Sequence, residues 1–150
     1  MAKNNEELYK KAKVVVGIDF GTSGTGYAYS YDNPNDIILG SFPCQGHEFK
    51  VPTEIILDSK FEKIKAFGVE CKEYVENNQL KNGELYFKAI KMNLYKKVKE
   101  IKPQNSTETY QMVNIIAKIL EYVKEIIIKK IKERIWLKIM KNFIKRPKLW

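Results

Sequence analysis

Residues 14–31 constrain the fold of this chain more than any other segment, because a carboxylate and a glycine-rich turn separate two strand patterns. Residues 14–18 form a short, mainly β-branched run, which is typical of a strand that is buried on both faces. Residues 27–31 alternate aromatic and small side chains, which indicates a second strand. We therefore expect adjacent antiparallel strands at 14–20 and 27–31, joined by the turn between them.

The turn between these strands has the composition of an anion-binding loop. Gly21 and Gly24 allow backbone N–H groups to approach an anion closely, and Thr22 and Ser23 add hydroxyl donors. Asp19, near the end of the first strand, suits a Mg²⁺ ion that is held through water. These five residues are predicted to hold a magnesium-bound phosphate group. A plain hairpin turn with an incidental aspartate is the alternative that the pattern leaves open.

The order of these parts excludes two more common phosphate-binding motifs. A Walker loop needs Gly-Lys-Ser/Thr at the start of a helix, and no lysine follows Gly26. The dinucleotide fingerprint needs Gly-x-Gly-x-x-Gly, whereas the glycines here have the spacing Gly-x-x-Gly-x-Gly. A helix beginning at Thr22 would restore the geometry of a Walker loop and contradict the predicted hairpin.

The composition is that of one globular domain whose positive charge is concentrated near its end. Of 150 residues 44% are apolar, and the formal net charge is +9. From Lys118 onward, eleven lysines and arginines stand against three glutamates, which gives +8 in this part alone. Cys44 and Cys71 are far apart and His47 is the single histidine, so no disulfide framework or zinc centre is expected. No run approaches 18 uninterrupted apolar residues, which predicts no membrane span and a cytoplasmic protein.

The rest of the chain is predicted to change from strands to helices. The expected elements are strands at 37–39, 54–57 and 64–67, followed by helices at 69–77 and 84–100. A third helix is expected to be capped by Asn105, three residues before Glu108. This helix carries an apolar stripe that is expected to pack on the sheet but to be poorly covered toward Ile135, Ile139 and Phe143. The stripe consists of Val113, Ile116, Leu120, Val123, Ile127, Ile131, Ile135 and Ile139.

Three ordered segments resemble the actin/Hsp70/sugar-kinase superfamily. Ile-Asp-Phe-Gly-Thr-Ser at 18–23 resembles its first phosphate motif, and the longer string at 15–30 resembles the divergent Hsp70 branch called heat shock 70 kDa protein 12. The Pro-Thr strand at 51–58 with Ala-Phe-Gly at 66–68, and the segment at 85–92 with the helix that follows, are similar to later parts of that branch. The resemblance covers roughly residues 13 to 128.

This resemblance implies an α/β fold of the ribonuclease-H-like, actin/Hsp70 type. The chain would hold an incomplete first lobe, a β-sheet with a phosphate-binding hairpin followed by helices. ATP and Mg²⁺ are the implied ligands, with Asp19 near the Mg²⁺ shell and the backbone of 21–23 near the β- and γ-phosphates. Gly24 falls where many Hsp70 chains have a tyrosine. No catalytic residue is assigned, because the catalytic lysine of Hsp70 chains is not matched by any of Lys88, Lys91 and Lys96.

The expected organisation is a polar lead at 1–12, an Hsp70-like nucleotide-binding fragment at 13–128 and a basic amphipathic tail at 129–150. A second lobe is expected to be missing, so the chain alone should bind ATP weakly or not at all and should not hydrolyse it. Alternatives are a sugar-kinase lobe of the same superfamily, or a non-enzymatic module whose basic helix binds an anionic membrane or nucleic acid. Trp136, Phe143 and Trp150 among basic residues favour an anionic surface, and nothing indicates a specific nucleic acid.

Overall fold

A computed structural model describes residues 14–31, 35–44, 46 and 48–144. The predicted lead at 1–12, His47 and the last six residues lie outside this part, as do the side chains of Ile139 and Phe143. The described elements, in chain order, are β1 (Val14–Phe20), β2 (Thr25–Tyr31), β3 (Ile37–Gly40), β4 (Lys50–Val51), β5 (Ile55–Leu57), β6 (Ile64–Phe67), α1 (Glu70–Glu76), β7 (Leu85–Phe87), α2 (Ile90–Tyr95), β8 (Glu100–Ile101), β9 (Tyr110–Gln111) and α3 (Met112–Ile144).

The first sheet is built on the predicted hairpin. β1 and β2 pair antiparallel, with Val14 opposite Tyr31 and Phe20 opposite Thr25. No helix begins at Thr22, so the hairpin prediction is confirmed. β3 pairs with the other side of β2, and the short β4 pairs with the first two residues of β2. The sheet therefore brings the start of β2, the end of β1 and β4 together at one place.

The prediction that the first strand is buried on both faces is wrong for the described residues. Within them β1 lies at the edge of its sheet, with β2 as its paired strand. Val16 and Ile18 are 38% and 42% exposed. A β-branched run reports a preference for extended backbone, whereas burial depends on which strands lie beside it. The neighbouring strands cannot be identified from the pattern of one segment alone.

The second sheet lies between two helical layers. Its strand order is β6-β5-β7, with both pairs antiparallel. On one face Ile55, Leu57 and Phe87 join the main core, which also contains the buried side chains of α3. On the other face Ile56 packs with Cys71 of α1. Successive side chains of β5 point to opposite faces of the sheet, and both faces are covered. All three residues of β5 are therefore fully buried.

The predicted helix at 84–100 is wrong, and its first residues form β7 instead. Leu85, Tyr86 and Phe87 pair antiparallel with β5, and all three are buried. A shorter helix, α2, follows, and β8 occupies the end of the predicted range. Pairing with a strand nearly thirty residues away has overridden the local helical pattern, as tertiary contacts commonly do.

Asn105 has a different role from the predicted cap. Its side-chain carbonyl accepts from the Tyr86 N–H at 3.0 Å, and its NH₂ group donates to the Glu84 carbonyl at 2.7 Å. Asn105 therefore satisfies backbone groups beside β7 rather than at a helix N-terminus. The helix itself begins at Met112.

The long helix α3 confirms the predicted helix but shifts its apolar face. Val113 and Leu120, which were expected to pack, are exposed, whereas Val123 and Ile127 are buried as predicted. The buried face consists of Met112, Ile115, Ile119, Val123, Ile126 and Ile127. Together with the antiparallel sheets, this helix confirms a mixed α/β class.

No helix in the described ranges is both long enough and apolar enough to cross a membrane.

Candidate functional site

The turn at 21–24 is closed by its own backbone. The Gly21 N–H donates to the Gly24 carbonyl at 2.8 Å, so this N–H is already used inside the turn. A Cβ on Gly21 would lie 2.6 Å from the Gly24 oxygen, and a Cβ on Gly24 would lie 2.6 Å from the Val51 oxygen. Both glycines are therefore required by close approach of the chain to itself. Thr22 and Ser23 form the exposed tip.

Thr53 fastens this turn to the connection after β4. Its hydroxyl donates to the Gly21 carbonyl at 3.0 Å, and it is 2.9 Å from the Thr25 hydroxyl. Because the single Thr53 proton is engaged by Gly21, Thr25 must donate to Thr53. Both threonines are buried. The two hydroxyls therefore form a short chain that fixes the base of the turn while its tip faces solvent.

Asp19 lies beside the turn and forms an ion pair with Lys50 of β4. The Lys50 Nζ is 2.9 Å from the Asp19 Oδ2, and the Asp19 side chain is 61% exposed. The hydrogen bond from Lys50, followed by the charge of Lys50, lowers the pKa of Asp19, and the charge of Lys91 lowers it further. Asp19 is therefore ionised at neutral pH in a positive environment.

Lys88 and Lys91, to which no role is assigned from the sequence, have different surroundings in the structure. Lys91, at the start of α2, is near enough to Asp19 to act on its pKa. Lys88 instead lies 3.7 Å from a Glu54 oxygen, with its ammonium group 4.8 Å from the centre of the Tyr86 ring. Lys88 is therefore engaged elsewhere, whereas the charge of Lys91 acts at Asp19 as the smallest of the causes that shift its pKa.

These residues fit a phosphate more readily than a bare metal ion. In the described part of the chain, no three His, Cys, Asp or Glu side chains converge on one point. Asp19 alone suits a cation that keeps most of its water, as Mg²⁺ does. Lys50 neutralises Asp19 beside the exposed hydroxyls of Thr22 and Ser23, and the charge of Lys91 adds to the positive potential at Asp19. This arrangement suits a hydrated Mg²⁺ that arrives with an anionic ligand.

The five predicted site residues follow one another at the end of β1 and in the turn after it, and their role as a binding site stays a prediction. Lys50 and Thr53, which contact the turn and Asp19, were not among the residues predicted from the sequence. Thr53 lies in the Pro-Thr segment that carried part of the resemblance, so that segment was the available signal. Lys50 gave no local signal, because the pairing of β4 with β2 brings it to the turn.

Comparison with known proteins indicates a distant Hsp70-like relationship. The chain is 33% identical to human heat shock 70 kDa protein 12A over 91 residues, which cover 55% of this chain and 13% of that protein. The chain thus spans a small part of the length of this relative. No protein-family model matches the chain, and no solved structure matches it significantly.

Proposed function

We propose that the β1–β2 turn is the phosphate-binding loop of an Hsp70-like nucleotide-binding domain with the ribonuclease-H-like fold. Mg²⁺–ATP is the proposed ligand. The observation that carries the proposal is the exposed Thr22–Ser23 tip beside the Asp19–Lys50 ion pair, on a turn whose base is fixed by buried hydroxyls. The likeness to heat shock 70 kDa protein 12A supports the same family.

Each residue has a proposed task at this loop. Thr22 and Ser23 donate hydroxyl hydrogen bonds to phosphate oxygens, and Lys50 and Lys91 offset the phosphate charge. Asp19 accepts hydrogen bonds from water molecules of a bound Mg²⁺. Bound Mg²⁺ would supply charge neutralisation of the phosphates. Gly21 shapes the turn, since its N–H already donates to Gly24.

The chain alone is expected to bind nucleotide weakly and to show no measurable ATPase activity. The described residues supply contacts to the phosphates from one side, and nucleotide sites of the proposed type close between two lobes. We expect a dissociation constant on the order of millimolar, which corresponds to about 4 kcal/mol of binding free energy. Calorimetric binding of Mg²⁺–ATP with micromolar affinity would contradict this expectation.

Asp19→Asn is expected to remove the dependence of ATP binding on magnesium. In the wild-type chain Mg²⁺ offsets the repulsion between Asp19 and the phosphates, so Mg²⁺–ATP should bind several-fold more tightly than ATP without metal. In Asp19→Asn the two forms should bind equally. The measurement is a titration followed by backbone amide NMR, with shifts expected at 19–25 and at Lys50.

Asp36→Asn is the matched control, because Asp36 is an exposed aspartate beside β3. It should retain the full magnesium dependence. AMP, which lacks the β- and γ-phosphates, should leave the turn amides unchanged. Equal magnesium dependence in wild type and Asp19→Asn would contradict the role of Asp19. Absence of any shift at the turn up to about 10 mM nucleotide would contradict the proposed function.

A further inference from the structure

The outer segment of α3, residues 128–140, still contacts the core through the partly buried Ile131, and the exposed part of the helix follows this residue. The buried side chains of this helix end at Ile127, and every side chain from Lys132 to Leu137 is exposed. The helix continues to Ile144, so residues 132–144 extend about 20 Å at 1.5 Å per residue. The described side chains of 132–137 are therefore available to a partner.

Large apolar side chains are exposed on this outer segment. Trp136 is 60% exposed, and Ile128, Ile135 and Met140 are exposed as well. At 3.6 residues per turn these four fall within an arc of roughly 140°. These four side chains form an exposed apolar strip, which Lys129 and Lys132 interrupt and beyond which Leu137 is also exposed.

Basic side chains lie both within and opposite this apolar strip. Lys129, Lys130, Lys132 and Arg134 are opposed by Glu133, whose carboxylate lies 3.9 Å from the Lys130 ammonium group. Lys130 and Arg134 lie opposite the strip, while Lys129 and Lys132 both lie within its arc. Long lysine stems can lie along apolar surface while their ammonium groups reach water or lipid headgroups.

We propose that the outer segment of α3 binds an anionic lipid surface. The apolar strip would enter the boundary between headgroups and acyl chains, and the lysines and arginine would contact lipid phosphates and carboxylates. A second copy of this chain is disfavoured as the occupant, because it would bring two sets of like charges together. A nucleic acid would contact the basic residues but would leave the apolar strip without an apolar partner. This surface is separate from the β1–β2 turn.

The test uses the full chain with vesicles of phosphatidylcholine containing roughly 30% phosphatidylserine, compared with pure phosphatidylcholine. A Trp150→Phe background leaves Trp136 as the single tryptophan. We expect co-sedimentation with the anionic vesicles only, and a blue shift of Trp136 fluorescence on binding. Raising the salt concentration should weaken the binding by screening.

Two sets of variants separate the charge from the apolar strip. Lys129→Gln with Lys132→Gln should weaken binding roughly 30-fold, and Trp136→Ser, assayed by co-sedimentation, should weaken it about tenfold. Lys96→Gln with Lys97→Gln, and Tyr95→Ser, remove exposed residues of the same kinds elsewhere and should leave binding unchanged.

Three outcomes would overturn the proposal. They are no binding to anionic vesicles, vesicle binding that Trp136→Ser leaves unchanged, and tighter binding to a DNA or RNA duplex than to the vesicles at the same salt concentration. The last outcome would assign the surface to nucleic acid instead.

Discussion

Thr53→Val is expected to lower the free energy of unfolding by about 2–3 kcal/mol. Valine retains the shape of threonine but leaves the Gly21 carbonyl without its donor and the Thr25 hydroxyl without its acceptor. Both groups belong to buried residues, so the desolvation penalty is not recovered from water. Urea unfolding measures the loss as a lower midpoint at an unchanged slope.

Thr53→Ser is the matched control, because serine retains the hydroxyl and removes one methyl group. Its free energy of unfolding should be lower by about 1 kcal/mol, because one buried methyl group is lost. Faster amide exchange at the turn in Thr53→Val, with near-normal exchange in Thr53→Ser, would show that the hydroxyl fixes the site. Equal destabilisation by both substitutions would mean that the hydroxyl chain does not hold the turn.

Phe87→Ala is expected to lower the free energy of unfolding further, by about 3–5 kcal/mol. Phe87 is fully buried in β7, and its ring lies 6.2 Å from the ring of Phe61 and 5.8 Å from that of Tyr110, centre to centre. Removing it leaves a cavity where the second sheet meets α3. A loss of this size is a large part of the 5–15 kcal/mol typical of a domain. Chemical denaturation monitored by circular dichroism measures it.

Tyr95→Ala is the control for this substitution, because Tyr95 is also aromatic but is 87% exposed. Its effect should be within about 0.5 kcal/mol of zero. If Phe87→Ala were as mild as Tyr95→Ala, β7 would not lie in the core, and the helix predicted from sequence at 84–100 would again have to be considered.

The hairpin could be predicted from sequence because its signals are local. Asp19, the glycine-rich turn and the alternating tyrosines lie within one short segment, and each indicates the same connection. The position of β1 in the sheet could not be predicted in this way, since it depends on neighbouring strands. Lys50 reaches Asp19 through the pairing of β4 with β2, and that pairing has no local signature.

The region from 84 to 112 shows the opposite case, in which local signals misled. Its helical spacing predicted one long helix, but Leu85–Phe87 is held by pairing with β5 on one side and by Asn105 beside it. The apolar stripe of α3 was misplaced for a related reason. The helix packs through Met112, Ile115 and Ile119, and which of several apolar positions faces the core is decided by the sheets that it meets.

Paramagnetic NMR with Mn²⁺–ATP tests the central claim most directly, because Mn²⁺ in place of Mg²⁺ broadens the signals of nearby amides. If the β1–β2 turn binds the metal-bound phosphates, the amides of Asp19, Thr22 and Ser23 should broaden first, at metal concentrations well below that of the protein. Asp19→Asn should weaken this selective broadening several-fold, because the bound metal loses the Asp19 carboxylate, and Asp36→Asn should retain it in full. Broadening centred elsewhere, or equal broadening in wild type and Asp19→Asn, would contradict the assignment of this turn as the phosphate-binding loop.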